Sequence, residues 1–249
     1  MEANKLTVGV FVPCCIDQFS TRTAKNMVKL LQDAGFSCAY PEEQTCCGQG
    51  LYLAGDREGA KLLGSQIIDQ FRPYRYVVTC SSSCVAYVRR CFNELFFNSA
   101  YHNDHRLFAD KTLDVSDFLC RCMDGRIDCD SNRVKATIQN ISFPHRVAFL
   151  EHHRTSHDYG MREEPRQLLR MVQGLSLMEL GDCDMDGGFI VTNPDVAAQM
   201  ARQIIDKAHE MGAEYITSTE PMLITALQKF VEKEKTDMKC VNLVDILEG

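Results

Sequence analysis

The sequence predicts an α/β protein built as two tandem, pseudo-twofold-related repeats, each a short parallel sheet with flanking helices. Three observations predict it. Short runs rich in Val, Ile and Phe alternate with helically spaced segments across short connections, as parallel strands joined by crossover helices do. Adding 139 to the first-half numbering lays the second half over it without a gap: Gly35-Phe36 falls on Gly174-Leu175, Gly48 on Gly187, and Tyr76-Val77 on Tyr215-Ile216. Such self-similarity marks an internal duplication. Finally, Cys14, Cys46-Cys47-Gly48 and Cys80…Cys84 each follow or close a strand-like run. Thirty-one residues lie between Cys14 and Cys46, and thirty-one between Gly48 and Cys80.

Taken in order, Leu6–Pro13 reads as a buried strand. Thr21–Ala34 has helical spacing through Met27, Leu30 and Leu31, and Gly35 is its stop. Phe36–Tyr40 is a second strand ended by Pro41, and Glu42–Gly50 is a loop bearing the paired cysteines. Glu58–Phe71 returns to helix, Tyr76–Thr79 is a third strand, Ser83–Phe97 a third helix and Asp114–Met123 another. Residues 1–125 form the first repeat, polar residues 126–145 read as a linker, and residues 146–249 form the second. There the strands are Arg146–Leu150, Leu175–Leu180 and Glu214–Ser218. Helices are expected over Glu164–Val172, Asp195–Met211 and Pro221–Val231, and Val241–Leu247 closes the chain.

Composition narrows the function classes. With 45% apolar and 24% charged residues, the 249-residue chain is an ordinary globular protein. A net charge of −7 without a Lys/Arg block argues against nucleic-acid binding. No apolar run is long enough to span a bilayer. The start, MEANKLTVGVFVPCC, has neither a basic leader nor a small-residue cleavage site, and its Val8–Val12 run fits a strand. Thirteen cysteines, an odd number in a chain this long, favour metal ligation in a reducing compartment over disulfides, and hence the cytoplasm. No GxGxxG or P-loop motif supports a nucleotide or flavin site.

The carboxyl ends of neighbouring parallel strands open into one crevice, so Cys14, Cys46-Cys47 and Cys80 with Cys84 converge there. Cys84 opens a helix, whose positive dipole end favours the thiolate that soft metals require. Adjacent side chains such as Cys46 and Cys47 diverge. They serve two irons of one cluster more readily than one tetrahedral ion, which tips the choice from zinc toward iron–sulfur. Cys15, Cys38 and Cys91 read as packing, and Cys120, Cys122, Cys129 and Cys240 match no ligand spacing. Under the 139-residue offset, Cys14 lands on His153, Cys46 on Met185, Cys47 on Asp186, Cys80 on Thr219 and Cys84 on Leu223. The frame repeats and the ligands do not, so one cluster is expected. His153, Cys183 and Asp186 are the candidates for a replacement metal site, weighed against a degenerate loop whose polar groups bond to one another.

The pattern Cys14…Cys46-Cys47-Gly48…Cys84 resembles the cysteine-rich CCG domain. That domain is shared by heterodisulfide reductases, the glycolate oxidase iron–sulfur component and the lactate utilisation A proteins. The last are the nearest, through Phe11-Val12-Pro13-Cys14, Pro41–Gln49, Gly160…Glu164-Pro165 and Gly212-Ala213-Glu214. The resemblance implies a tandem CCG fold and one 4Fe-4S cluster, cubane or non-cubane, held by Cys14, Cys46, Cys47 and Cys84. Cys80 is a further candidate, its three-residue spacing from Cys84 departing from the reductase pattern. It also implies electron transfer within a complex oxidising L-lactate to pyruvate, beside a second iron–sulfur protein and one more partner protein. Two alternatives stay open: an enzyme acting on its own substrate at a non-cubane cluster, and a zinc-bearing, non-redox scaffold.

Overall fold

In the computed structural model, the described residues are 5–248. Met1–Asn4, part of the stretch read as lacking a leader, and Gly249 lie outside them. The first half runs β1 (Thr7–Phe11), α1 (Cys14–Phe19), α2 (Thr21–Asp33), β2 (Ser37–Ala39), α3 (Gln49–Leu53), α4 (Arg57–Gln70), β3 (Val77–Thr79), α5 (Ser82–Phe96), α6 (Asp104–Lys111), β4 (Thr112–Asp114), α7 (Val115–Met123) and α8 (Ser131–Gln139). The second runs β5 (Arg146–His152), a π-helical turn (Thr155–Tyr159), α9 (Glu163–Met171), β6 (Ser176–Cys183), α10 (Gly187–Thr192), α11 (Pro194–Glu210), β7 (Tyr215–Ser218), α12 (Pro221–Glu234), β8 (Lys239–Asn242) and α13 (Leu243–Ile246).

Each half forms a four-stranded sheet, ordered β2-β1-β3-β4 and β6-β5-β7-β8, with every pairing parallel. Alternation along the strands decides which core each residue enters. Val8 and Val10 of β1 point into one apolar cluster, together with Val147 and Phe149 of β5, while Phe11 points into another with α4 and α5. Ala148 and Leu150 face a third, under α11 and α12. One core is therefore shared between the halves, and each half keeps an outer core of its own.

The twofold relation is visible in exchanged contacts. Helix α7 packs on α9, and its counterpart α13 packs on α2; α5 packs on the Thr155–Tyr159 turn, and its counterpart α12 packs on α1. Asp117 of α7 accepts from the Tyr159 hydroxyl at 2.7 Å. Asp245, at the same place in α13, accepts from Thr23 at 2.9 Å and Asn26 at 2.8 Å. Each half thus supplies hydrogen-bond donors to a carboxylate of the other.

Three differences from the sequence expectations have physical causes. The fourth strands escape the offset: β4 begins at Thr112 and β8 at Lys239, 127 apart rather than 139, because α6 has no counterpart before β8. Residues 126–145, read as a linker, contain α8. Its N-cap Asp130 accepts from the Arg133 amide, and Val134 and Ile138, one turn apart, are buried in the shared core. Strands β5 and β6 run on to His152 and Cys183, past a register shift at Phe149/Leu150.

Candidate metal centre

Pro13 ends β1 and leads directly into α1, which places Cys14 at the strand's carboxyl end. The Cys46-Cys47 loop is brought to the same point by side chains. Gln44 behaves as a strand surrogate: its Oε1 accepts from the Val12 amide at 2.9 Å and its Nε2 donates to the Val12 carbonyl at 2.6 Å. Gln70 of α4 clamps the loop from the other side, accepting from the Thr45 amide at 3.0 Å and donating to the Glu43 carbonyl at 2.6 Å. Gly48 turns the chain into α3 with φ +90°, and a Cβ there would lie 2.9 Å from the Ala60 carbonyl oxygen. Only glycine meets both conditions. Cys84 sits in the first turn of α5, its amide bonded to the N-cap hydroxyl of Ser81 at 3.4 Å. None of Gln44, Gln70 or Ser81 was singled out from sequence. A glutamine staple has no local pattern, although Ser81 stands where an N-cap is expected.

The sulfurs gather as two pairs. Cys14 and Cys46 Sγ are 3.5 Å apart, and Cys47 and Cys84 Sγ are 3.6 Å apart. Hydrogen bonds from Cys14, from Cys47 and from the Gly48 amide converge on Cys46 and hold its thiol far below the ordinary range. The same contact with Cys46, then burial, pushes Cys14 up, and Cys47 rises through its contacts with Cys46 and Cys84.

All four line a cavity of about 700 Å³ whose opposite wall comes from the second half: Asp186 to Phe189 at the start of α10, Val191, and Glu220 and Met222 at the start of α12. The centre therefore lies between the halves. Cys15, read from sequence as packing, is buried in the shared core and also reaches the cavity wall. Cys80 is fully buried at the end of β3. Its acidic neighbours are Asp114 and Asp245, and it is not among the residues lining the cavity.

Each of the three residues considered for a second site has neighbours of its own. Asp186 caps α10 through the Phe189 amide at 2.8 Å and pairs with Arg154 at 2.7 Å. His153 stacks on His157 with ring centroids 3.9 Å apart, and its nearest carboxylate is Asp182, at 3.9 Å. Cys183 belongs to β6, in register with His152. Among the described residues, no three His, Cys, Asp or Glu side chains are arranged to hold a single metal ion.

A family model described as the CCG cysteine-rich domain matches residues 8–89 and 153–222. The chain belongs to this CCG cysteine-rich domain family. Its second matched span covers the half whose cysteines are replaced, so the CCG frame is recognisable without its ligands. Lactate utilization protein A 2 of Bacillus cereus strain AH820 is 27% identical over 97% of this chain and 98% of its own length. The protein of the same name from Bacillus cereus strain 03BB102 is 30% identical over 88% of this chain and 85% of its own. Among solved structures, an aspartate racemase homologue from Pyrococcus horikoshii aligns over 97% of this chain at 9% identity, with a TM-score of 0.36. That likeness is too slight to bear on CCG function.

Proposed function

We propose that this chain is the iron–sulfur-binding, electron-transfer subunit of a cytoplasmic complex that oxidises L-lactate to pyruvate. The observation that carries the reading is the convergence of four thiols, as two pairs, on one cavity at the carboxyl ends of β1, β2 and β3. The donor set fits the group. Thiolates are the ligands of iron–sulfur clusters, and the adjacent side chains of Cys46 and Cys47 serve two irons of one cluster more readily than one tetrahedral ion. Cys14, Cys46, Cys47 and Cys84 would hold one 4Fe-4S cluster, cubane or non-cubane. When bound, the cluster takes up and returns electrons singly.

The chain's own residues supply the setting. The Gly48 amide donates to Cys46 Sγ at 3.4 Å, the kind of bond that tunes a cluster's potential. Burial of Cys47 and Cys84, with Phe189 and Met222 across the cavity, limits water. Leu53 and Val191 line the same cavity and are exposed, which suits docking by an electron-donating partner. The relatives' names support a place in lactate utilization, and the expected partners are a second iron–sulfur protein and one further protein. The isolated chain is then expected to show no lactate turnover.

Anaerobically purified protein should be brown and contain about four irons and four sulfides per chain. Protein prepared in this way without acid-labile sulfide overturns the proposal, and zinc in its place selects the scaffold alternative.

A further inference from the structure

Five of the residues lining the cavity are cysteines: Cys14, Cys15, Cys46, Cys47 and Cys84. Cys80, the further ligand that the resemblance allows, is fully buried at the end of β3 and is not among them. The spare thiol at the cavity is Cys15.

Cys14 and Cys15 are the first two residues of α1. Successive side chains on a helix point about 100° apart, so the two reach the cavity from different directions. Cys14 is exposed and Cys15 buried. Besides burial, the groups that bear most on the Cys15 thiol are Cys84 and then Glu220, both cavity residues, ahead of Cys80. Adjacent thiols at one cavity repeat the arrangement of Cys46 and Cys47, which suits two irons of one cluster.

The second half supplies a control for direction. By the 139-residue offset Cys15 corresponds to Arg154 and Cys47 to Asp186, and these two pair at 2.7 Å. The frame therefore sends the side chain that follows the first ligand position toward the CCG turn. In the first half that direction leads to the cavity that Cys47 also lines.

We propose that Cys15 is a fifth thiolate ligand of the cluster, in the role that the resemblance leaves to Cys80. The proposal rests on the electron-transfer reading, which supplies the cluster, and it decides between the two cluster types. Each iron of a cubane takes one thiolate, so Cys14, Cys46, Cys47 and Cys84 complete it. A fifth thiolate finds a place only where one iron accepts an additional ligand or the cage is open. The non-cubane form is therefore the expected one.

The test is Mössbauer spectroscopy of anaerobically prepared protein loaded with isotopically enriched iron, compared with Cys15→Ala, Cys15→Ser and Cys80→Ala. The wild type should show an iron site distinct from the rest, at about four irons per chain. Cys15→Ala should keep its iron and lose the distinct site, giving the spectrum of a cubane. Cys15→Ser, which keeps the side chain's size and so guards against failure to fold, should shift the same site. Cys80→Ala should leave the spectrum as it is. A thiol that only packs would lower Tm on substitution and move no iron site. A wild-type spectrum of cubane form overturns the proposal. So do spectra unchanged in both Cys15 variants, or loss of the distinct site in Cys80→Ala instead. With sulfide present, those results leave the electron-transfer reading standing. Protein without acid-labile sulfide ends both.

Discussion

The two halves share strand order, exchanged helix contacts and a common core, yet their strand ends are finished differently. Where the first half places Cys46 and Cys84, the second places Met185 and Leu223, both fully buried in its outer core. Where the first has Cys47, the second has Asp186 in a half-buried pair with Arg154. The same frame is closed by apolar packing and an ion pair in one copy and left lined with thiols in the other. The difference teaches that the sheet does not need cysteines at these positions. The second half shows what fills them when packing alone decides.

That contrast can be broken first by exchanging the outcomes. Cys84→Ser should abolish iron and sulfide binding while the cluster-free chain keeps its fold, as read by metal assay and circular dichroism. Leu223→Ala, at the equivalent position, should leave iron bound per folded chain. It should destabilise the protein by about 2–5 kcal/mol in urea titrations, the cost of a core cavity. Equal loss of stability in the two variants would erase the distinction between the halves.

A smaller effect should come from the residues that end the fourth strands. Asp114 and Asn242 pair with Thr79 and Ser218 and cap α7 and α13 in the same way, through the Ser116 and Val244 amides. Asp114 is fully buried, its Oδ2 has no partner among the described residues, and burial pushes its carboxyl up to about 7. An unfolded aspartate titrates near ~3.9, so the native state binds the extra proton between those values. Its contribution to stability is present at low pH and falls as pH rises through that window, by about 2–4 kcal/mol at most. Asp114→Asn, which copies the second half, should remove this fall. The variant should gain on the wild type from pH 4 to pH 8 in parallel denaturation series.

The smallest expected change lies in the ion pair. Arg154→Ala should cost about 1–2 kcal/mol, since the pair is only partly desolvated and Asp186 keeps its bond to α10. A double-mutant cycle with Asp186→Asn measures the coupling, and a coupling near zero would reduce the pair to surface decoration.

Much of this frame was legible in the residues. The 139-residue offset predicted the starts of β5, β6 and α12 from those of β1, β2 and α5 because turn glycines and strand aromatics repeat at fixed positions. The offset could not reveal β8, since α6 changes the spacing before β4. Helix α8 was hidden because only Val134 and Ile138 bury an apolar face in an otherwise polar stretch. The convergence of Cys14, Cys46, Cys47 and Cys84 followed from strand order. The cavity's second wall did not, because Asp186, Phe189 and Glu220 reach it through the packing of one half on the other, which no local spacing encodes. Cys183 lay past the expected end of its strand at Leu180, whereas the β5–β6 ladder runs on to include it.

That ladder has a counterpart with a consequence of its own. Position 183 corresponds to position 44, so the place where the second half continues backbone pairing is the place where the first relies on the Gln44 side chain. A strand peels away only by losing its ladder, but a glutamine lets go by rotating. The loop bearing Cys46 and Cys47 is therefore held to its sheet by the side chains of Gln44 and Gln70 and not by a strand ladder. Its fixing rests on two glutamines, where the second half uses backbone alone.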